Sequence, residues 1–333
     1  ENDLIRVDSG LMKLGKKVSS LDSIEGKKVY IVDKERIDGE TAVCNLASVN
    51  LSKINTKEDF ERVVKTGVRM LDNVIDLNFY PVEKTKRTNM KSRAIGFGVM
   101  GEAQMLAEKG IVWGSEEHFK CVDEIMEIFS YNVINSSADL ARERGSYNTF
   151  EGSKWQQGIF PIDIANENAK KLVQRDNIYN WEALREKVKG GIRNGYLMAI
   201  APTSSISILV GTTQAIEPVY RRKWFEENLS GLIPVVAPNL SPETWNCYVP
   251  AFEVDQINVI KAAAIRQKWI DQGQSTNIFL SSDIITGKLL HQIYVSAWKY
   301  GCKSTYYLRS ESPDAKKAEM SVADRSIECE GCQ

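Results

Sequence analysis

Residues 93–110 read RAIGFGVMGEAQMLAEKG, an apolar strand punctuated by glycine and followed directly by a helix. The unit repeats in kind on both sides. Before it, residues 28–32 (KVYIV) and 41–47 (TAVCNLA) read as strands around the turn-forming pair Asp38-Gly39. Between them and the quoted stretch, residues 58–79 place Phe60, Val63, Val64, Val68, Leu71, Val74 and Ile75 at helical spacing. After it come a long helix near 116–144, an amphipathic helix over 181–189, and an apolar strand, 196–201 (YLMAIA), that Pro202 ends. A helix near 254–272, a strand at 276–281, a helix at 286–300 and a strand at 303–308 complete the body. Strands alternating with helices predict a parallel α/β sheet or barrel. No internal repeat of short period is visible. Residues 1–40 are polar and read as an irregular extension or linker.

Bulk properties exclude more than they assign. The chain has 333 residues, 43% of them hydrophobic, and a formal net charge of -1. It carries no basic footprint for nucleic acid. No run approaches the ~18 apolar residues of a membrane span, and no signal peptide opens the chain. Six cysteines are too sparse for a secreted disulfide framework, so a reducing cytoplasm is the expected compartment. The chain opens on Glu1 rather than Met, which suits a fragment or a processed product.

Chemistry concentrates in a few places. Cys329 and Cys332 lie close to the end of a charged segment, SESPDAKKAEMSVADRSIECEGCQ, that begins at Ser310. Such a segment buries too little apolar surface to offset the entropy of ordering, so a mobile tail is expected over 310–333. A dithiol there suits thiol–disulfide exchange between a buried site and an external reductant. The same spacing suits half a zinc site, but His118 and His291 are far apart and pair with no cysteine.

The run Ala201-Pro202-Thr203-Ser204-Ser205-Ile206-Ser207 clusters hydroxyls at a helix start, where free N–H groups attract anions. Ordinary capping needs only one hydroxyl. Tyr306 and Tyr307 fall in a predicted strand, where adjacent side chains point to opposite faces, and most such pairs are packing residues. Cys44 sits centrally in an apolar strand, where a lone cysteine is usually an inert small hydrophobe. Cys121, Cys247 and Cys302 read as structural for the same reason. Gly96, Gly98 and Gly101 form a loose GxGxxG with the last glycine one position early, better explained by close strand–helix packing than by a dinucleotide.

Taken in order, TAVCNLASVNL (41–51), RAIGFGVMGEAQMLAEKG (93–110), LMAIAPTSSIS (197–207), AIEPVYRR (215–222), IRQKWIDQGQSTN (265–277), YGCKSTYYL (300–308) and the Cys-Glu-Gly-Cys terminus resemble one family. It is the large, catalytic subunit of class I ribonucleotide reductase, in its C-terminal half. The resemblance covers residues 36–333. It implies the second half of a ten-stranded α/β barrel, five parallel strands with helices over residues 41–309, followed by a flexible C-terminal tail.

The resemblance also implies roles. Cys44 would be one of two active-site cysteines that reduce the ribose and become a disulfide. Tyr306 and Tyr307 would be the stacked pair that passes radical character from a small subunit to an active-site thiyl. Thr203, Ser204, Ser205 and Ile206 would hold the diphosphate of a ribonucleoside diphosphate. Cys329 and Cys332 would re-reduce the disulfide and be reduced in turn by thioredoxin or glutaredoxin. No metal or other cofactor is expected on this chain, since the metal-containing small subunit supplies the radical.

The family's Asn-x-Cys-x-Glu segment, the partner cysteine of Cys44 and the nucleotide effector regions have no match here, and residues 1–35 have no recognised counterpart. The chain is therefore expected to be inactive alone and to act with a second polypeptide that bears the N-terminal half, as one product of a split gene. A non-catalytic docking module of the same fold, or an unrelated barrel enzyme for a phosphorylated substrate, would leave several of these residues idle.

Overall fold

The computed structural model describes residues 39–228 and 231–311, the latter parts of this range over 224–228 and 231–234 by backbone alone. It also describes the backbone of five short strands nearer the start: β1 (Leu4–Val7), β2 (Gly10–Lys13), β3 (Ser20–Ile24), β4 (Lys27–Tyr30) and β5 (Glu35–Arg36). Cys329 and Cys332 lie outside the described residues. The chain divides into two compact units, one of Glu1–Val43 with Phe79–Thr88, the other of Cys44–Asn78 with Asn89–Gln333.

In the first unit β1 and β5 flank β2 in antiparallel pairing, and β3 pairs antiparallel with β4. Short strands thus replace the irregular extension that polarity alone suggested.

The second unit is built on parallel strands. β6 (Leu46–Asn50) runs beside β7 (Gly96–Met100), with Leu46 opposite Gly96. Phe97 bridges in parallel to Met198, and Ile200 bridges in parallel to Gln274. β10 (Ile278–Ser281) then pairs in parallel with β11 (Leu308–Glu311). Five extended segments therefore lie side by side in sequence order, and β6 and β11 are their outer members among the described residues. An antiparallel hairpin, β8 (Lys223–Asn228) with β9 (Gly231–Val236), is separate from them.

Several expected strands move. Residues 41–45 are not a strand, and pairing begins at Leu46, because Gly96 N–H donates to the Asn45 carbonyl at the foot of the register. The 196–201 segment is extended but forms only bridges, since Asp271 Oδ2 and Oδ1 accept the Leu197 and Met198 N–H groups at 2.9 and 2.7 Å in place of backbone carbonyls. The last strand is displaced from 303–308 to 308–311. There Asn277 Oδ1 takes the Tyr307 N–H at 2.9 Å, so a side chain interrupts the ladder just before it starts.

Helices pack against these strands. α1 (Lys57–Leu77) buries Phe60, Val64, Val68, Leu71 and Ile75 at three- and four-residue spacing, while Val74 falls on its flank and is exposed. Thr56 caps it by accepting the Asp59 N–H. α2 (Glu83–Ser92) precedes β7, and α3 (Glu102–Glu108) follows it. The long α4 (Glu116–Arg144) carries Phe129, whose ring meets Phe97 edge-on at 5.5 Å. α5 (Glu167–Lys170), α6 (Trp181–Lys189) and α7 (Ser204–Val210) follow in order. α8 (Gln256–Gln267) and α9 (Gly287–Lys299) pack Ile260, Ile293 and Ala297 against Ile278 and Leu280 of β10.

Phe97 thus faces the helices, and Gly96 and Gly98 face the other way. A Cβ at Gly98 would lie 2.3 Å from the Ala199 carbonyl oxygen, so this glycine permits the close approach of two strands rather than of a strand and a helix. The other two glycines of the loose motif serve different contacts, Gly96 lying against the Leu46 side chain and Gly101 turning at φ 77 ahead of the next helix. One buried charge cluster ties three helices together. Glu102 accepts from Arg266 and from His118 Nε2 (3.0 Å), while Gly114 N–H donates to His118 Nδ1. Burial holds the His118 pKa below its ordinary value, and with Nδ1 accepting, the ring is the neutral Nε2–H form.

Candidate functional site

A cleft of about 710 Å³ is lined by Ser204, Thr213, Glu217, Tyr220, Phe279 of β10 and Arg309 of β11, among others. The segment between Gly211 and Glu217 builds its floor. Gly101 N–H donates to the Thr213 carbonyl, and Thr212 Oγ1 donates to Gln104 Oε1 at 2.7 Å. These bonds lash the segment to the start of α3.

Thr203 does not cap α7 with its side chain. It sits in the left-handed region at φ 53, and its Oγ1 accepts the N–H of Ala215, itself at φ 36, at 2.8 Å. Two non-glycine residues held at positive φ and bonded to each other store backbone strain, which persists only where the surroundings over-determine it. Ser204, Ser205 and Ile206 are exposed beyond that joint, and Ser204 lines the cleft. The hydroxyls expected to act together are therefore divided, with Thr203 turned inward and the serines outward.

Tyr306 and Tyr307 stand at the foot of β11. Strand alternation would separate them, yet their ring centroids are 4.0 Å apart and Tyr306 Oη donates to Tyr307 Oη at 3.3 Å. The backbone has not entered the pleat there, because Tyr306 N–H bonds to the Thr276 carbonyl and Tyr307 N–H to the Asn277 side chain. Both rings are exposed. The hydrogen bond to Tyr307 holds the Tyr306 phenol above its ordinary pKa. Arg309 stacks over the Tyr307 ring at 5.4 Å.

Cys44 is neither central in a strand nor buried. It is exposed, just ahead of β6, and does not line the cleft. Burial pushes Cys121 and Cys302 up to about 11 and about 12, which keeps those thiols protonated and slow to exchange.

Two groups escaped the sequence reading. Glu217 accepts from Asn277 Nδ2 at 2.6 Å on the cleft wall, and burial lifts its carboxyl to about 7 against the pull of Arg309. Ser275 is buried two positions before Asn277, and its hydroxyl has no partner among the described residues. Glu217 lies within the AIEPVYRR segment, where an acid in an apolar run before proline was the available signal. A second cavity of about 620 Å³, lined by Tyr147, Trp155, Tyr196, Lys154 and Lys303 among others, contains none of the candidate residues.

Comparison with known proteins gives the family of the chain. The family described as ribonucleotide reductase, barrel domain, matches residues 19–308. The alpha subunit of ribonucleoside-diphosphate reductase from Helicobacter pylori strain J99 is 62% identical over 337 residues, covering 100% of this chain and 42% of that protein. The alpha subunit from Treponema pallidum is 43% identical over 295 residues, covering 88% of this chain and 33% of that protein. Large chain 2 of the Saccharomyces cerevisiae enzyme is 33% identical over 334 residues, covering 86% and 38%. The chain spans about two fifths, or less, of the length of these curated relatives. Residues 1–35, which had no recognised counterpart, are covered by the Helicobacter match and are not foreign to the family. On the match over residues 19–308 and these identities, the chain belongs to the ribonucleotide reductase barrel-domain family.

Proposed function

We propose that this chain is part of the catalytic barrel of a class I ribonucleoside-diphosphate reductase, which converts ribonucleoside diphosphates to 2'-deoxyribonucleoside diphosphates by thiyl-radical chemistry. The observation that carries the reading is the contact of Tyr306 with Tyr307, phenol to phenol at 3.3 Å, beside the cleft. A phenol that loses an electron and a proton together becomes a neutral radical, and a second phenol in hydrogen-bond contact can take over that state. Packing residues do not need their hydroxyls aligned.

The other roles follow from that centre. Ser204, Ser205 and the start of α7, with Ile206 beside them, receive the diphosphate, and Thr203 fixes the joint that presents them. Cys44 and a second cysteine outside this chain supply the reducing equivalents. Cys329 and Cys332 restore them and are recharged by thioredoxin or glutaredoxin. The five parallel segments of residues 41–309 are half of a ten-stranded barrel, with 310–333 as the redox tail. Gly96 and Gly98 leave the face turned away from the helices low, which suits a loop bearing the Asn-x-Cys-x-Glu segment.

That loop, the effector sites and the remaining strands come from alpha-subunit sequence outside this chain, on the same or a second polypeptide. The radical comes from a metal-containing small subunit. The cysteines described here are all free, which suits a cytoplasmic setting. In the assembled enzyme, Tyr306→Phe or Tyr307→Phe should abolish formation of deoxyribonucleotide while leaving the Kd for the diphosphate unchanged. Normal turnover in both variants would return the pair to packing.

A further inference from the structure

One acid that this reading leaves unused is joined to the tyrosine pair through Asn277. Glu217 accepts from Asn277 Nδ2 at 2.6 Å, and the same Asn277 turns its Oδ1 to the Tyr307 N–H at 2.9 Å. Arg309 shares the cleft with Glu217, acts on its charge, and stacks on the Tyr307 ring. Two routes therefore join one carboxyl to one tyrosine, the first through hydrogen bonds and the second through a cation. Strand pairing requires neither, because β10 is joined to this segment by Ile278 N–H on the Tyr307 carbonyl and by Tyr306 N–H on the Thr276 carbonyl. Among the buried acids of this fold, Asp271 is held by two backbone N–H groups. Glu102, Asp72 and Glu127 all form buried ion pairs, whereas Glu217 forms none among the described residues and opens on the cleft.

We propose that Glu217 is a positioning residue for the tyrosine pair, setting the seat of Tyr307 through Asn277 and through Arg309. The proposal rests on the reading of that pair as a radical carrier. Ionised, Glu217 attracts Arg309 and strengthens the Asn277 bond; protonated, it releases its hold on both. Burial places that change near neutrality, at about 7. The groups that face it are few. Arg309 comes from β11 and Tyr220 from its own loop, and among the described residues no other ionisable side chain lines the cleft. Ser204, Thr213 and Phe279, from the remaining walls, are uncharged.

The test uses the full chain labelled with nitrogen-15 in tyrosine, with the Tyr307 amide identified by its loss in Tyr307→Phe. Titrated from mildly acidic to mildly basic conditions, the Tyr307 amide shift should move with a midpoint at about 7 in the native protein. It should be flat in Glu217→Gln. Arg309→Gln should displace the midpoint upward, which keeps the test open even if the first variant folds poorly. In the assembled enzyme, Glu217→Gln should remove the neutral limb of the pH profile of kcat while KM for the diphosphate stays constant. A flat native titration, or the same titration in Glu217→Gln, would overturn the proposal. Normal turnover in Tyr307→Phe would overturn the radical reading instead, and the amide titration does not depend on turnover.

Discussion

At the scale of single residues, Thr203 and Ser204 are neighbours with separable effects. Thr203 accepts the N–H of the buried Ala215, so Thr203→Ala strands a buried donor and should destabilise the fold by about 1–3 kcal/mol. Ser204 is exposed on the cleft, and Ser204→Ala should leave stability within about 0.5 kcal/mol while weakening a diphosphate more than its nucleoside. Urea unfolding and ligand titration on both variants separate the two. Equal loss of diphosphate and nucleoside binding in Ser204→Ala would remove the phosphate role.

Glu217 makes a further prediction with a definite sign. Its carboxyl is raised to about 7, whereas in the unfolded chain it ionises near the ordinary value of about 4.3. As pH rises between those values the unfolded chain sheds the proton first, so stability falls across the window and levels off above it. The shift sets a ceiling of about 4 kcal/mol, which partial contact with solvent trims to roughly 2–3 kcal/mol. Glu217→Gln should therefore match the native protein near about pH 4 and exceed its stability by roughly that amount at about pH 8. Equal stability at the higher pH, in urea unfolding, would show that the acid is not held in the buried state described.

Among elements, the charge cluster of Glu102, His118 and Arg266 has a role that no single helix reveals. Burial alone would raise the Glu102 carboxyl, but Arg266 and His118 hold it below its ordinary value. Glu102→Gln would leave the Arg266 guanidinium buried without its counter-charge, and a loss of about 3–5 kcal/mol is expected by thermal or urea unfolding. A change below about 1 kcal/mol, the range of an exposed pair, would mean that solvent reaches the cluster.

The same scale shows where sequence is legible. α1, α4, α6 and α9 follow from apolar period and capping residues, which are local properties. The strand at 41–47 and the strand at 303–308 were displaced because register depends on the neighbour: Gly96 for the first, and the Asn277 side chain for the second. For the site, residue types and order sufficed to mark the tyrosines and the hydroxyls. Their contact at 3.3 Å and the inward turn of Thr203 depend on bonds to Asn277 and Ala215, which lie in other segments. Glu217 acquires its meaning only from Asn277 and Arg309, so no local pattern could have singled it out.

For the parallel unit of the molecule, the decisive fact is that β6 and β11 are outer strands among the described residues. An edge strand presents unpaired N–H and C=O groups, and a barrel removes such edges by closing. Cys44 lies just ahead of one of these edges, and Tyr306 and Tyr307 lie just ahead of the other, all of them exposed. If further alpha-subunit strands complete the barrel, they must pair here, and they would cover the residues on which turnover is proposed to depend. This chain by itself should then show no reductase activity, even with a small subunit. Adding the remaining alpha-subunit sequence should slow amide exchange at Leu46–Asn50 and Leu308–Glu311, and should bring turnover with the small subunit at the same stoichiometry. Hydrogen exchange followed by mass spectrometry reads the first effect, and conversion of a ribonucleoside diphosphate reads the second. Turnover that appears while both edges still exchange freely would mean that the rest of the subunit docks elsewhere, and the half-barrel reading would fall.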